Sequence, residues 1–320
     1  MLFIMRFDLR NPSFSGVSTQ ERYEAALEMT EWADRHGGLA VSFQEHHDSD
    51  DGYLPSPLVM AGAVGARTQN IAIGIAALVA PFYDPIRLAE DTAVVDQLCG
   101  GRLNLIIGGG YVPEEFAHFG VPMNKRPSLV RETVETLRAA WTGEPFEFRG
   151  RTVRVRPTPA QEGGPEIILG GSSEPAARRA AHIGDGFVPS EAGVWEHYRD
   201  ECLRLGKDDP GEGFDVTPSV VMLAEDPEAA WAELGPYFLH EANSYGRLQE
   251  AGGFTAYHSF ADLDELRADG MYRILAPDDY EKELADEGEM AVVRLHPMVG
   301  GIPPALAWRH LELFEEHFLS

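Results

Sequence analysis

LNLIIGGGYVPEEFAHFGVPMNKRPSLVRETVETLRAAW, residues 103–141, opens with a β-type run from Leu103 to Ile107 and breaks at three glycines. It ends where Val130, Val134, Leu137 and Trp141 recur at helical spacing. A buried strand followed by a helix with one apolar stripe is a βα unit, and the rest of the chain repeats the alternation. Strand-like runs fall at Phe3 to Asp8, Ala40 to Gln44, Ile71 to Ile75, Leu103 to Ile107, Glu166 to Leu169, Gly186 to Pro189, Val216 to Leu223 and Met290 to His296. Helical stripes lie between them, as with Ala307, Leu311, Phe314 and Phe318 in the last, which Pro303 and Pro304 introduce. Ser18 or Thr19 can cap the first helix. Eight such units predict an α/β fold, a (β/α)8 TIM barrel forming one domain over residues 1–320. Two stretches exceed a minimal barrel: 143–165 reads as an inserted hairpin, and 243–289 as a long excursion before the eighth strand, placed to act as a lid or as plain surface elaboration.

Composition narrows the function. With 44% hydrophobic residues in 320, the chain can bury a large core. Its 52 acidic against 26 basic residues give a formal charge of −26, a field that repels phosphate backbones and anionic lipid, so neither nucleic acid nor membrane is an expected partner. The lysines are only Lys125, Lys207 and Lys282, so an anion site must rest on arginine, backbone N–H groups or helix N-termini. Cys99 and Cys202 form no paired motif, and no run approaches the roughly 20 apolar residues of a spanning helix. A cytoplasmic protein is the expectation.

In a barrel of this kind the site is built from loops at the carboxyl ends of the strands. The second strand ends in Gln44-Glu45-His46-His47-Asp48: a carboxylate and two imidazoles able to move protons near neutral pH. Neighbouring side chains on a strand point to opposite faces, and no HExxH spacing is present, so a zinc site is not favoured and no metal is expected; a purely structural role for the histidines competes with a catalytic one. The third strand ends in small residues including Ala76 and Ala77, where a flat ligand can approach the backbone. The fourth ends in Gly108-Gly109-Gly110, which is neither a dinucleotide fingerprint nor a P-loop. After the fifth, Gly170-Gly171-Ser172-Ser173 leads into a helix with Pro175 in its first turn, which is either a phosphate site or a plain cap.

The stretches FQEHHDSDDGYLPSPLVMAGAVGART, DPIRLAEDTAVVDQLCGGRLNLIIGGGYVPEEFAHFGVP, WTGEPFEFRG, GGSSEPAARRAAHIGDGF and HPMVGGIPPALAW, in this order and spacing, resemble the bacterial luciferase-like flavin-dependent monooxygenase family over nearly the whole chain. The resemblance implies a flavoprotein oxidoreductase. It would use reduced FMN, supplied by a separate flavin reductase, and dioxygen to oxidise a small, largely apolar organic substrate. It implies His46 as the catalytic histidine, Glu45 as the carboxylate beside the flavin ring, and a non-proline cis peptide at Ala76-Ala77 beneath that ring. It also places Ser172 and Ser173 in the phosphate loop, with the phosphate near Gly108, Gly109, Gly170 and Gly171, and Arg126 near a second phosphate-side arginine. Family helices often pair into a homodimer. Where the luciferases have an arginine in the fourth-strand loop this chain has Gly109, which leaves a deazaflavin coenzyme and hydride transfer as the nearest alternative. A flavin-binding barrel without catalysis, and a metal-dependent barrel hydrolase for which no ligand cluster is visible in the sequence, are the readings from other classes. Leu78, Val79, Phe82 and Tyr111 suggest the apolar substrate, and His296 is a further candidate for the cavity wall.

Overall fold

The first strand alternates: Phe3, Met5 and Phe7 are fully buried while the residues between them are partly open, the pattern of a strand with one face against a core. A computed structural model describes residues 1–213, 219–252, 257–287 and 291–319. Its strands are β1 (Leu2–Phe7), β2 (Ala40–Phe43), β3 (Ala72–Val79), β4 (Leu103–Gly108), β5 (Phe146–Phe148), β6 (Arg151–Val153), β7 (Ile167–Gly171), β8 (Gly186–Pro189), β9 (Val220–Leu223), β10 (Tyr272–Leu275) and β11 (Val292–Leu295). Seven form one parallel sheet in the order β11-β1-β2-β3-β4-β7-β8, and β9 and β10 form a separate parallel pair, with β9 lying beside β11.

Parallel strands with crossover helices are what the alternation predicts, and every expected run carries a strand; Val216 to Pro218 and Met290 lie outside the described residues. The count of eight is corrected. Among the described residues β10 is an additional parallel strand, inside the stretch read as an excursion. That stretch begins as helix: Pro227–Gly252 runs 26 residues, so 243–252 is its carboxyl-terminal part. Within 143–165, β5 and β6 pair antiparallel.

Local chemistry fixes the helix ends. Ser18 caps Thr19–Arg35: its hydroxyl accepts the Glu21 N–H at 3.2 Å, and the Glu21 carboxylate accepts the Ser18 N–H at 2.9 Å. From the same helix the buried Arg22 donates to the carbonyls of Gly301 (2.8 Å) and Ile302 (3.0 Å), tying it to the turn Val299–Gly301.

His310, on the helix Pro304–Phe314, is 2% exposed, and its Nδ1 accepts the Leu223 N–H at 2.9 Å. Burial pushes the imidazole from its ordinary 6.5 down to about 4, so the folded protein holds the ring neutral. The unfolded chain therefore takes up its proton first as pH falls. The contribution is complete above pH 6.5 and is lost towards pH 4, a difference on the order of 3 kcal/mol. Urea midpoints should fall across this window in the native protein. In His310→Gln, whose amide oxygen can keep the Leu223 bond, the fall should shrink; an unchanged slope would remove His310 as the cause.

Candidate active site

The carboxyl ends of β1, β2, β3, β4, β7 and β8 surround a cavity of about 580 Å³. The residues expected to serve catalysis and cofactor binding line it: His46 and Glu45 after β2, Ala76 and Ala77 on β3, Gly108 and Gly109 at the end of β4, Gly170, Gly171, Ser172 and Ser173 at and beyond the end of β7, and Arg126 from the helix Arg126–Trp141. The Ala76–Ala77 peptide is cis, and the β3–β4 register shifts between Ala76 and Leu78. His47 and His296 are not among the lining residues.

His46 is 7% exposed and stands edge-on to Tyr53 (4.9 Å between ring centroids) and Tyr111 (5.7 Å). Its Nδ1 is 2.8 Å from Glu115 Oε1, which also accepts the His47 N–H at 2.9 Å. An ionised carboxylate only accepts, so with Glu115 charged the imidazole carries its hydrogen on Nδ1 and presents a lone pair at Nε2. Nε2 lies 3.3 Å from the Tyr111 hydroxyl, which burial keeps neutral by pushing its pKa well up. Glu115, on the short helix Pro113–His118, is 2% exposed. Its role is not legible in the sequence, because the bond to His46 spans 69 residues and joins loops of two different βα units.

Glu45 makes no hydrogen bond to the His46 ring. Its Oε1 accepts from His47 Nε2 (2.8 Å) and the Tyr83 hydroxyl (3.0 Å), and its Oε2 from the Val79 N–H (2.8 Å). Successive side chains diverge, so Glu45 and His46 take different partners. His47 packs its ring against Phe82 and Phe119 and serves as a brace for Glu45.

The far end of the cavity suits an anion. Ser173 occupies the cap position of the helix Glu174–Ile183 without a side-chain capping hydrogen bond, and its carbonyl accepts the Ala176 and Ala177 N–H groups at 3.0 Å, so what this end offers the cavity is the Ser172 and Ser173 side chains and the positive end of the helix dipole. A Cβ on Gly171 would lie 2.6 Å from the Ala176 Cβ; only glycine lets the strand end and this helix approach so closely. Arg126 donates to the Gly110 carbonyl at 3.1 Å. Arg179 also lines the cavity, with a buried Nε that has no hydrogen-bond partner, and burial followed by the nearby Arg131 and Arg126 charges lowers its pKa. Like charges gathered around the half-buried Arg179 favour an anion between them. Arg179 sits inside the quoted GGSSEPAARRAAHIGDGF and was missed because a basic residue on a helix looks like an ordinary solvated one.

Just past the carboxyl ends of β1 and β11, Asp8 and His296 meet Glu241, with ligand-type atoms within 4.8 Å of one another, all buried. This corrects the reading that the chain has no such cluster; β1, the helix Pro227–Gly252 and the end of β11 assemble it. Arg10 Nε lies 3.4 Å from Asp8, and Arg6 lies 3.8 Å from Glu241. Two guanidinium groups thus already oppose its carboxylates, which makes an ion-pair cluster of it rather than a cation cage. Among the described residues no helix is long and apolar enough to cross a membrane.

A family model described as luciferase-like monooxygenase matches residues 5–294. The chain is 32% identical over 182 residues to the F420-dependent glucose-6-phosphate dehydrogenase of Nocardia farcinica, covering 53% of this chain and 54% of that one. The monooxygenase RslO1 of Streptomyces bottropensis superposes with a TM-score of 0.76 at 23% identity, over 99% of this chain and 98% of its own. The oxygenating constituent of 3,6-diketocamphane monooxygenase from Pseudomonas putida, a type II Baeyer-Villiger enzyme solved with FMN, does so with 0.73 at 20% identity, over 100% and 98%. At those identities the two structures establish a shared luciferase-like barrel fold. The match over nearly the whole chain settles the family: this protein is an oxidoreductase belonging to the luciferase-like monooxygenases.

Proposed function

We propose that the protein is a flavin-dependent monooxygenase that receives reduced FMN from a separate reductase and, with dioxygen, oxidises a small organic substrate beside His46. The observation that carries this reading is the presence in one cavity of an anion cradle and the Glu115–His46–Tyr111 chain. FMN bound there would supply the reducing equivalents that activate dioxygen. The residues fit it: the hydroxyls of Ser172 and Ser173, the helix N-terminus and the partnerless Arg179 Nε suit a phosphate, and the small side chains of Ala76 and Ala77 suit a flat ring. His46 takes or returns a proton at Nε2, while Glu115 fixes the ring and stabilises it when charged. Glu45 holds the Val79 N–H and Tyr83, which keeps the end of β3 in place beneath the ligand. A homodimer in the cytoplasm completes the proposal; light scattering checks the first part.

Gly109 and the F420-dependent relative favour a second reading, hydride transfer with a deazaflavin. Titration with FMN and a deazaflavin in both redox states, followed by oxygen uptake with chemically reduced FMN, separates the two. Tight FMN binding with substrate-coupled uptake supports the monooxygenase; preference for deazaflavin without uptake overturns it, and FMN binding without turnover leaves a passive carrier. Arg179→Met should weaken FMN by roughly tenfold to a hundredfold while leaving riboflavin, which lacks the phosphate, nearly unaffected. Equal losses for both would take Arg179 out of the cradle.

A further inference from the structure

Among the described residues three arginines line the cavity, and the phosphate cradle uses only Arg126 and Arg179. The third, Arg6, is on β1, with β2, β3 and β4 lying between it and the β7 end that carries Ser172 and Ser173. Its side chain is 29% exposed. One N–H donates to the Tyr245 hydroxyl at 3.1 Å, and Nε is buried without a partner. Its nearest carboxylate oxygen, Glu241 Oε1, stands at 3.8 Å, beyond a hydrogen bond, while Glu241 Oε2 is taken by the Tyr272 hydroxyl at 2.7 Å.

Arg10, from the turn just after the same strand, shows what a carboxylate-paired arginine looks like here, although its own Nε and Nη2 also lack hydrogen-bond partners. It is fully buried, holds Asp51 at 2.7 Å, and lies 4.5 Å and 4.7 Å from the ring centres of Tyr53 and Tyr245. Arg6 lies 5.9 Å from the Tyr245 ring centre and shares a hydrogen bond with Tyr257, but no carboxylate among the described residues reaches it at hydrogen-bonding distance, and a guanidinium presents five donors in a planar fork suited to an oxyanion. The wall around it is aromatic and polar together: Tyr245 and Tyr257 lie 4.8 Å apart at 30°, and Tyr53, Tyr111 and Gln249 continue the surface towards His46. Burial pushes the Tyr257 hydroxyl up to about 12, so it remains a neutral donor. This end of the cavity is not the largely apolar surface that Leu78, Val79 and Phe82 suggest; Leu78 and Phe82 do not line it.

We propose that the substrate is an aromatic compound bearing an acidic oxygen, as in a phenol, enol or carboxylic acid, and that Arg6 selects it by pairing with that oxygen while the tyrosine rings hold the aromatic body. This rests on the reading of the cavity as a flavin-dependent site, with the phosphate at the opposite end. The acidic oxygen completes the fork that Glu241 leaves open, and places the aromatic body along the tyrosines leading to His46.

The test is calorimetric titration with naphthoate and its methyl ester, with and without saturating FMN. Wild-type protein should bind naphthoate roughly tenfold or more tightly than the ester. Arg6→Met should abolish that preference with the ester's affinity unchanged, Arg6→Lys should retain part of it, and Arg179→Met should leave it intact. Equal affinities in the wild type, binding of neither probe, equal loss of both probes in Arg6→Met, or loss of the preference in Arg179→Met would overturn the proposal. The wild-type comparison stands even if Arg6→Met fails to fold. The FMN titration is scored separately: a preference for naphthoate in protein that ignores FMN would sink the flavin reading alone.

Discussion

His46→Ala is expected to lower product formation by roughly a thousandfold, with FMN affinity and melting temperature close to wild type. Among the described residues the imidazole is the cavity group held at one nitrogen by a buried carboxylate at 2.8 Å and facing a neutral phenol with the other at 3.3 Å. Alanine removes both ends of that chain at once, so no neighbour is positioned to replace it. Tyr111 stays protonated because of its burial, and Glu45 is committed to His47, Tyr83 and Val79. Single-turnover oxidation started by mixing reduced FMN-loaded protein with dioxygen and substrate reads the step directly. Turnover at the wild-type rate, with flavin bound normally, would remove His46 from the chemistry.

Gly300→Ala is expected to be the most damaging substitution of a single atom group away from the cavity. Gly300 has φ 61 and ψ 12, in the left-handed region. A Cβ there would meet the Tyr237 carbonyl oxygen at 2.0 Å and its carbon at 2.8 Å, both backbone atoms of the helix Pro227–Gly252 that cannot rotate aside. Either the turn Val299–Gly301 lifts off or the helix shifts, and lifting the turn also disturbs the carbonyls of Gly301 and Ile302 that Arg22 holds. Backbone strain plus lost packing should cost on the order of 4 kcal/mol, about a 10 °C fall in apparent melting temperature. A melting curve superimposable on wild type would mean that the turn relaxes without losing its contacts.

The alternation of strands and helices is legible because burial enforces it residue by residue: Phe3, Met5 and Phe7 on one strand, and Val130, Val134, Leu137 and Trp141 on one helix, announce themselves locally. So do the glycine-rich strand ends and the His46 loop, since each is a contiguous run. What stayed hidden depends on separation along the chain. Glu115 meets His46 across 69 residues, and the Asp8–Glu241–His296 cluster draws on three distant elements, for which residue order gives no hint. Tyr272–Leu275, as long as β2 or β8, is masked instead by its setting in a stretch rich in Gly, Asp, Tyr and Glu that reads as a connection. Arg179 and Arg6 were overlooked for another reason: an arginine shows its desolvation only once the fold is known.

Glu241, Tyr245 and Gln249 follow one another at intervals of four along a single helix and so share one side of it. Tyr245 and Gln249 reach the cavity, while Glu241 sits beneath Arg6. Divergence of substrate range in descendants of this chain can therefore proceed by point changes at this ladder, leaving the loops after β2, β4 and β7 untouched. A one-residue insertion upstream in the same helix would instead swing the whole ladder by about 100° and erase the recognition wall in one event.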